Sequence, residues 1–600
     1  MNRPKQSPNE PIENLAIGKI IEVDGTRIVA ELEPKITELS RVFAGETYPI
    51  GQFGSILKIH FGRHLIFAFV GRLRMKSEYE VERGIAIQAS GDERIIEADL
   101  FGEGEWIQEG AEEPEWKLKF DRGVATYPLP QQTVYLTPKS ELRQIYGQRS
   151  DSVILLGEHV GSGGAPCFAS INELLGKHTA ILGSTGAGKS GTVAAVLHSI
   201  LEHGEREGYD VWNPTVIVLD PHNEYGRAFA DHTRLSTDEG SLRLPYWMLD
   251  LEETLALLIG KTEFAATSQT NIVKSALLSA RKDAADNIDG LDSTKISIDA
   301  PIPYVMGDPN GLDEFGKVDG ALYEVGFVGA INAQRPENRN KKDHEDYNKV
   351  LRKLSNLLRD DRLSFMMAPW DGEEDQLPAV LTQFLSGDQP LRIVDLSGVP
   401  NEVAGTASAA IARTLFLIKV WQSPEERDAS PLLLVCEEAH RYVPNTGEAQ
   451  YAAAQDAIRR IAKEGRKYGL GLLLVSQRPS EVEATVLSQC NSWIVLRITN
   501  ESDRNHVRSV LPDSMAGLTK MLSGLRRREA IFVGLAAMLP SRIVVRELVD
   551  AQLPRSHDIR FDSGWKNARL SDDALALIAE RWRYQQRYSR PTGPAHPDDG

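Results

Sequence analysis

The chain has 600 residues and carries 68 Lys and Arg residues against 85 Asp and Glu residues, which gives a formal net charge of −17. Hydrophobic residues make up 41% and charged residues 26%, as in ordinary globular proteins, so whole-chain disorder, collagen and a pure coiled coil are excluded. The acidic balance argues against a basic protein that coats nucleic acid, although a local basic strip can still bind phosphate.

The cysteine content and the apolar runs predict a cytoplasmic protein that does not cross a membrane. The three scattered cysteines form no CxxC pair, so they fit a reducing compartment and predict neither a disulfide framework nor a cysteine zinc site. The first residues lack the apolar centre of a signal peptide. The longest apolar run, 403–421, is broken by Arg413 and Lys419, so we predict that it is a helix of a folded domain.

Short β runs separated by turn residues dominate the first part of the chain. This spacing favours a small closed β-barrel, and a sheet packed on the next domain is the alternative. The predicted hairpins pair Lys19–Val23 with Thr26–Leu32 across Asp24-Gly25, Ser55–Phe61 with Leu65–Leu73 across Gly62-Arg63, and Ile85–Gln88 with Arg94–Leu100 across Ser90-Gly91-Asp92.

From about residue 151 the pattern changes to apolar strands that alternate with helices. Several strands are almost continuously apolar, which is typical of strands buried on both faces of a mainly parallel α/β sheet. The candidate strands are Thr179–Leu182, Thr215–Asp220, Leu391–Leu396, Pro431–Cys436, Gly471–Ser476, Ser492–Ile498 and Glu529–Val533.

A helical and charged stretch interrupts this α/β rhythm, and a short tail follows it. The last ten residues are rich in Pro, Gly and Asp and are predicted to be disordered. We predict a flexible arm at 1–12, the barrel at 13–150, the first half of the α/β core at 151–259, a helical insertion at 260–390, the second half of the core at 391–550, and a tail at 551–600 with one helix at Asp572–Arg587.

A glycine-rich loop between an apolar strand and a helical run gives the strongest chemical signal. It fits the pattern G-x-x-x-x-G-K-[ST], in which backbone N–H groups and the start of a helix bind phosphate oxygens. The lysine is expected to reach the β- and γ-phosphates, and the hydroxyl of Ser190 is expected to bind Mg²⁺. The predicted nucleotide-binding residues are Gly183, Ser184, Thr185, Gly186, Ala187, Gly188, Lys189, Ser190 and Gly191.

A second apolar strand, Leu432–Cys436, ends in two carboxylates, Glu437 and Glu438. Metal-dependent hydrolysis of a nucleoside triphosphate needs such a pair at a strand end. We expect Glu437 to hold Mg²⁺ or its water shell and Glu438 to polarise the attacking water. Together with the glycine-rich loop, this pair predicts a nucleoside triphosphatase.

Three further segments make the order of motifs specific. Asp220-Pro221-His222-Asn223-Glu224-Tyr225 follows one strand, and Glu464-Gly465-Arg466-Lys467-Tyr468-Gly469 precedes another strand, which ends in Ser476-Gln477-Arg478-Pro479. Over roughly residues 15 to 550, this order resembles the HerA family of hexameric DNA translocase ATPases of the HerA/FtsK class. The β region looks like that family's HAS barrel. The chain departs from the family at Asn223, where Gly is frequent, and at Glu437, where Asp is frequent.

The resemblance implies a RecA-like core that binds ATP between neighbouring subunits. The γ-phosphoryl group then needs a cation from the next subunit, and Arg466 lies at the family's position for it. Lys467 and Arg478 are alternatives. A surface cation that complements a helix end is the other explanation of Arg466.

The resemblance also suggests roles for polar residues at other strand ends. Gln477 resembles the polar sensor that reads the γ-phosphate. Asp220 and Glu224 follow a strand end and are expected to orient water or groups around the metal. His222 and His440 are expected to be structural hydrogen-bond partners.

The resemblance implies a homohexameric ring that moves double-stranded DNA through a central pore. Family members work with a partner nuclease or with a NAD-consuming defence effector, for which the β-barrel is the expected docking surface. The alternative is a ring scaffold in which ATP hydrolysis switches an effector enzyme. Three clusters of cations are candidates for DNA contact: 459–467, 526–528 and 352–362.

Overall fold

The structure is a computed structural model, and it describes most of the chain. Residues 1–8 of the predicted arm, the predicted strand Ile85–Gln88 with its turn, and the predicted disordered end lie outside the described residues. The described residues are 9–36, 38–52, 54–84, 93–109, 115–147, 152–160, 164–260, 267–288, 290–309, 324–338, 340–370, 375–445, 452–511, 519–555, 561–566 and 569–584.

The strands occur throughout the chain. In chain order they are β1 (Ala16–Asp24), β2 (Arg27–Leu32), β3 (Ser40–Phe43), β4 (Glu46–Pro49), β5 (Ile56–Phe61), β6 (His64–Met75), β7 (Arg94–Glu109), β8 (Glu115–Arg122), β9 (Thr133–Leu136), β10 (Val153–His159), β11 (Pro166–Ser170), β12 (Thr179–Leu182), β13 (Thr215–Asp220), β14 (Thr233–Ser236), β15 (Leu391–Asp395), β16 (Leu432–Cys436), β17 (Leu470–Ser476), β18 (Ser492–Leu496), β19 (Glu529–Gly534) and β20 (Ser541–Val545).

The helices concentrate after residue 170. In chain order they are α1 (Lys76–Glu82), α2 (Lys139–Gly147), α3 (Ile171–Leu175), α4 (Lys189–Leu201), α5 (His203–Glu207), α6 (Leu251–Leu258), α7 (Thr267–Ala285), α8 (Gly326–Ala333), α9 (Lys341–Leu358), α10 (Ser364–Met367), α11 (Leu377–Leu385), α12 (Asn401–Trp421), α13 (Pro424–Ala429), α14 (Ala452–Glu464), α15 (Ala484–Leu487), α16 (Glu501–Val510), α17 (Phe561–Gly564) and α18 (Asp572–Tyr584).

The chain divides into two compact units. The first contains Met1–His203, Gln477–Ser480 and Cys490–Glu547. The second contains Gly204–Ser476, Glu481–Gln489 and Leu548–Gly600.

The first unit begins with a closed β-barrel. Its strands pair in the order β2-β1-β9-β5-β6-β7, the pairing of β2 with β7 closes the ring, and β8 extends it at β7. The first two predicted hairpins are confirmed, since β1 pairs with β2 and β5 pairs with β6 in antiparallel fashion. Side chains that alternate along these strands fill the barrel core, as the fully buried Ile17, Ile59 and Ile66 illustrate.

The rest of the first unit is a sheet with strand order β11-β10-β20-β19-β18-β12. Strand β12 runs parallel to β18, with Leu182 opposite Val495. Strand β19 runs antiparallel to β18, with Leu496 opposite Ala530. Because β19 is antiparallel, the residues just before it reach the sheet edge at which β12 and β18 end.

The second unit contains a parallel sheet with strand order β17-β16-β13-β15-β14. Every residue of β15, β16 and β17 is buried, which explains their almost continuous apolar sequences. All seven predicted core strands occur in the structure, within two residues of their predicted ends. The expected α/β core with a parallel P-loop sheet and an N-terminal barrel is therefore confirmed.

Helix α12 contains the most apolar long run of the chain. The segment Val403–Trp421 has the length and composition of a membrane span, but 72% of it is buried inside the folded chain. Its charged residues are paired, since Arg413 donates to Glu253 at 2.7 Å and Lys419 donates to the Ser430 carbonyl at 2.6 Å. These contacts are those of a helix in the core of a folded unit.

Candidate phosphate loop and carboxylate edge

The glycine-rich loop joins β12 to α4 in the first unit. The Ser184 N–H donates to the Arg497 carbonyl at 2.9 Å, and the Ala187 N–H donates to the Ser184 carbonyl at 3.1 Å. Gly186 and Gly188 have φ values of 75° and 100°, in the left-handed region that glycine adopts without a steric penalty. The glycines of the motif thus stand where the backbone has to turn.

The loop ends on the first turn of α4. Gly188 is the N-cap of this helix, so the first turn of the helix begins at the end of the loop, where the helix dipole favours an anion. Lys189 is the first helical residue and only 9% exposed, and Ser190 follows it. Backbone donors, an ammonium group and a hydroxyl therefore meet in one place, which is the chemistry of a phosphate site.

Gln477 is held directly against the phosphate loop. The Thr185 hydroxyl donates to Gln477 Oε1 at 2.8 Å, and both residues belong to the first unit. A side chain that contacts the loop can respond to the group that binds there, and the sensor role of Gln477 stays a prediction.

A row of carboxylates follows the strand ends in the second unit. Asp220 and Asp395 are register partners on β13 and β15, and Leu219 on β13 is the partner of Cys436, which immediately precedes Glu437. The exposed fractions are 0% for both aspartates, 2% for Glu437 and 5% for Glu438. We call Asp220, Asp395, Glu437 and Glu438 the carboxylate edge.

Glu438 has an unusual backbone at this edge. Its φ is 54°, a left-handed conformation that is uncommon outside glycine and typical of residues held in place for function. One of its carboxylate oxygens lies 3.2 Å from Nδ1 of His440, and Nδ1 of His440 also lies 3.5 Å from the Ser476 hydroxyl. The structure thus places the His440 ring within ion-pair distance of the candidate base.

The ionisation of Asp220 is strongly perturbed at this edge. Its pKa is raised to about 6, mainly by burial and also by the nearby Asp395 and Glu224 carboxylates, while the N–H groups of Tyr225 and His222 that donate to it act in the opposite direction. A carboxylate in an unfolded chain has a pKa of about 3.9. The folded protein therefore binds this proton more tightly than the unfolded chain does.

Replacing Asp220 with asparagine is expected to change how stability depends on pH. Between the unfolded pKa and about pH 6, the folded protein holds more protons, so wild-type stability falls as pH rises through this window. The variant does not titrate here. The difference between its free energy of unfolding and that of wild type should therefore rise by about 1 kcal/mol, in favour of the variant, from pH 5 to pH 7. Denaturant unfolding at several pH values measures this. Asp210→Asn, at an exposed site in the same unit, is the control, and parallel profiles for Asp220→Asn and wild type would contradict the expectation.

Two residues of this region were missed by sequence reasoning. Asp395 ends a predicted strand as Asp220 does, so the same signal would have found it. Arg234 donates to Asp395 at 2.7 Å, and this pairing of distant residues leaves no mark in the sequence. Asn223 has a φ of 55°, a left-handed conformation that glycine adopts freely and asparagine tolerates.

The cations near the end of α14 separate into paired and exposed side chains. Arg459 pairs with Glu483 at 2.8 Å and with Asp456 at 2.7 Å, and the guanidinium of Arg460 lies 4.6 Å from the Phe416 ring centroid. Arg466 and Lys467 lie on the following 3-10 turn and are exposed. Arg466 is thus available for a contact outside its own chain, and its role remains a prediction.

The residues predicted to hold Mg²⁺ have suitable chemistry. Mg²⁺ prefers oxygen ligands and usually takes one or two from the protein, with phosphates and water supplying the others. Ser190 offers a hydroxyl beside the phosphate loop, and Glu437 offers a buried carboxylate at a strand end. Each of the two residues therefore offers an oxygen ligand that suits this cation.

A glycine-rich loop that leads from a strand into a helix, with carboxylates at the ends of parallel strands, defines a P-loop ATPase. The family model described as "Helicase HerA, central domain" matches residues 154–415. Over these residues the chain is similar to the HerA family, and it is an ATPase of the helicase class.

Relatives along most of the chain have the same description. The DNA double-strand break repair helicase HerA of Pyrococcus furiosus is 28% identical over 426 residues, which cover 68% of this chain and 72% of that protein. The protein of the same name from Sulfurisphaera tokodaii is 27% identical over 452 residues, which cover 74% and 78%. Among solved structures, VirB4 of Thermoanaerobacter pseudethanolicus superposes with a TM-score of 0.46 at 17% identity, covering 67% of this chain and 98% of that one.

Proposed function

We propose that this protein is an ATP-driven, ring-shaped translocase that moves double-stranded DNA through a central pore. The observation that carries the proposal is the phosphate loop together with the buried carboxylate edge in a chain similar to the HerA family. The names of the relatives, which describe repair of DNA double-strand breaks, support DNA as the substrate.

In the proposed hydrolysis site, residues of the phosphate loop and of the carboxylate edge act on the same nucleotide. Lys189 and the loop N–H groups bind the phosphates, Ser190 and Glu437 hold Mg²⁺, and Glu438 accepts a proton from the attacking water. When bound, Mg²⁺ neutralises phosphate charge. His440 orients the Glu438 carboxylate, which supports Glu438 as the general base.

The proposed ring places Arg466 of one subunit at the nucleotide of its neighbour. Its exposure at the surface of its own chain supports this role. Such a cation stabilises charge that develops on the γ-phosphoryl group. Gln477 is proposed to sense that group through its contact with Thr185.

The charge of the assembly limits where DNA can bind. With −17 for each chain, a hexamer would carry a formal charge of about −100, which repels DNA over most of its surface. We propose that DNA meets only a local path of exposed cations lining the pore. An acidic pore with a basic rim would instead favour the scaffold alternative.

A partner enzyme is the finer part of the proposal. We propose that a nuclease or a NAD-consuming defence effector docks on the barrel side of a cytoplasmic ring. The resemblance to the family supports this, and the choice between a motor and a switched scaffold depends on what stimulates hydrolysis.

The decisive experiment measures ATP hydrolysis by the purified protein with and without linear double-stranded DNA, alongside its native mass. We expect a hexameric mass and a several-fold stimulation by DNA. Stimulation by a co-purified partner alone, with none by DNA, would overturn the translocase proposal in favour of the scaffold.

A further inference from the structure

A turn of three arginines, Arg526-Arg527-Arg528, packs against the phosphate loop within the first unit. The Arg528 N–H donates to the Ala187 carbonyl at 3.3 Å. Gly188 lies so close that a Cβ on it would sit 3.5 Å from the backbone nitrogen of Arg528 and 3.9 Å from Cγ of Arg527. Arg527 and Arg528 therefore form one wall of the phosphate site.

Strand contacts fix the backbone of this turn. Arg528 has a φ of 69° and is held by β20, since its guanidinium donates to the Val545 carbonyl at 3.0 Å. The Val545 N–H donates back to the Arg528 carbonyl at 2.9 Å, and Glu547 lies 3.2 Å from the Arg528 guanidinium. Arg528 thus uses its side chain to anchor the turn.

Arg527 differs from Arg528 because its side chain does not anchor the turn. Its side chain is exposed and, within the part of the chain that the structure describes, has no hydrogen bond or ion pair. From its Cγ beside Gly188, ordinary bond lengths carry the guanidinium about 5 Å further. An arginine fork has the geometry to bind two phosphate oxygens at once.

We propose that Arg527 binds the phosphate chain of the nucleotide held by its own subunit's phosphate loop. This inference rests on the proposed nucleotide site and adds to it a cation from the start of β19. In the sequence, the same cluster is a candidate for DNA contact. The position of Arg527 against Gly188 favours the nucleotide, because the loop is where a polyphosphate binds.

The test is titration calorimetry of Mg·ADP with the full-length protein and four variants. Arg527→Ala should weaken binding about tenfold, the loss of one charge-assisted contact at a partly solvated site. Arg527→Lys should lose less, because it keeps the charge without the fork. The matched control is Arg526→Ala, which removes the same charge from the same turn, away from Gly188, and should change affinity less than about twofold. The fourth variant, Lys189→Ala, reports on the phosphate loop itself.

The outcomes separate the inference from the proposed function. If Arg527→Ala binds Mg·ADP with wild-type affinity while Lys189→Ala binds it more weakly, the proposed role of Arg527 is wrong. The assignment of the phosphate loop as the nucleotide site is then unaffected. Wild-type affinity in Lys189→Ala overturns the nucleotide site itself. Equal losses in Arg527→Ala and Arg526→Ala would show a general charge effect and also overturn the inference. If Arg527→Ala binds ADP as wild type does but needs a different DNA concentration for half-maximal hydrolysis, Arg527 contacts DNA and not the nucleotide.

Discussion

Replacing Glu438 with glutamine is expected to abolish ATP turnover while leaving ATP binding nearly intact. Glutamine keeps the size of the side chain and an oxygen that faces His440, but it cannot accept the proton of the attacking water. Loss of a general base costs about 100- to 10,000-fold in rate. Steady-state hydrolysis together with equilibrium binding of ATP measures both parts of the expectation.

Two variants control this experiment. Lys189→Ala should lose both binding and turnover, because it removes the cation that contacts the β- and γ-phosphates. Glu207→Gln, at an exposed site on α5, should behave like wild type. Undiminished hydrolysis in either Glu438→Gln or Lys189→Ala would show that these motifs are not the hydrolysis site.

The phosphate loop was predictable because its function depends on neighbouring residues in the sequence. Its two left-handed turns require glycine, and its lysine and serine follow directly on the helix that they begin. The buried strands were predictable for a similar local reason, since strands covered on both faces must be apolar along their whole length. The carboxylates at their ends were equally visible, and Asp395 was missed although it follows the same rule.

Other features depend on pairing between distant residues. Strand β12 pairs with β18 and β18 pairs with β19, so the register alone brings the start of β19 to the phosphate loop. The sequence shows Arg526-Arg527-Arg528 only as a basic cluster, for which DNA contact or a solvated surface is the ordinary interpretation. The antiparallel strands β10, β11 and β20 were not predicted either, because they are only five to seven residues long and so short a run does not by itself identify a strand.

Mixing two inactive variants is expected to restore ATP hydrolysis, because the proposed site is shared between subunits. Lys189→Ala removes the nucleotide-binding half of an interface, and Arg466→Ala removes the half that supplies the cation. Each variant by itself should turn over ATP at least about 100-fold more slowly than wild type. In a randomly mixed ring, about a quarter of the head-to-tail interfaces combine an intact Lys189 with an intact Arg466. Hydrolysis should therefore rise well above that of either variant, and co-assembly followed by a steady-state assay measures it.

The stoichiometry of the rescue distinguishes a trans residue from a cis one. If Arg466 acted on the nucleotide of its own subunit, no mixed interface would contain a complete site, and activity would stay at the level of the single variants. Lys467→Ala is the matched control, since it removes the neighbouring exposed cation on the same 3-10 turn. Retained activity in Arg466→Ala but loss in Lys467→Ala would assign the trans role to Lys467. Full activity in both would make these cations surface charges at a helix end, and the search for the trans cation would move to Arg478.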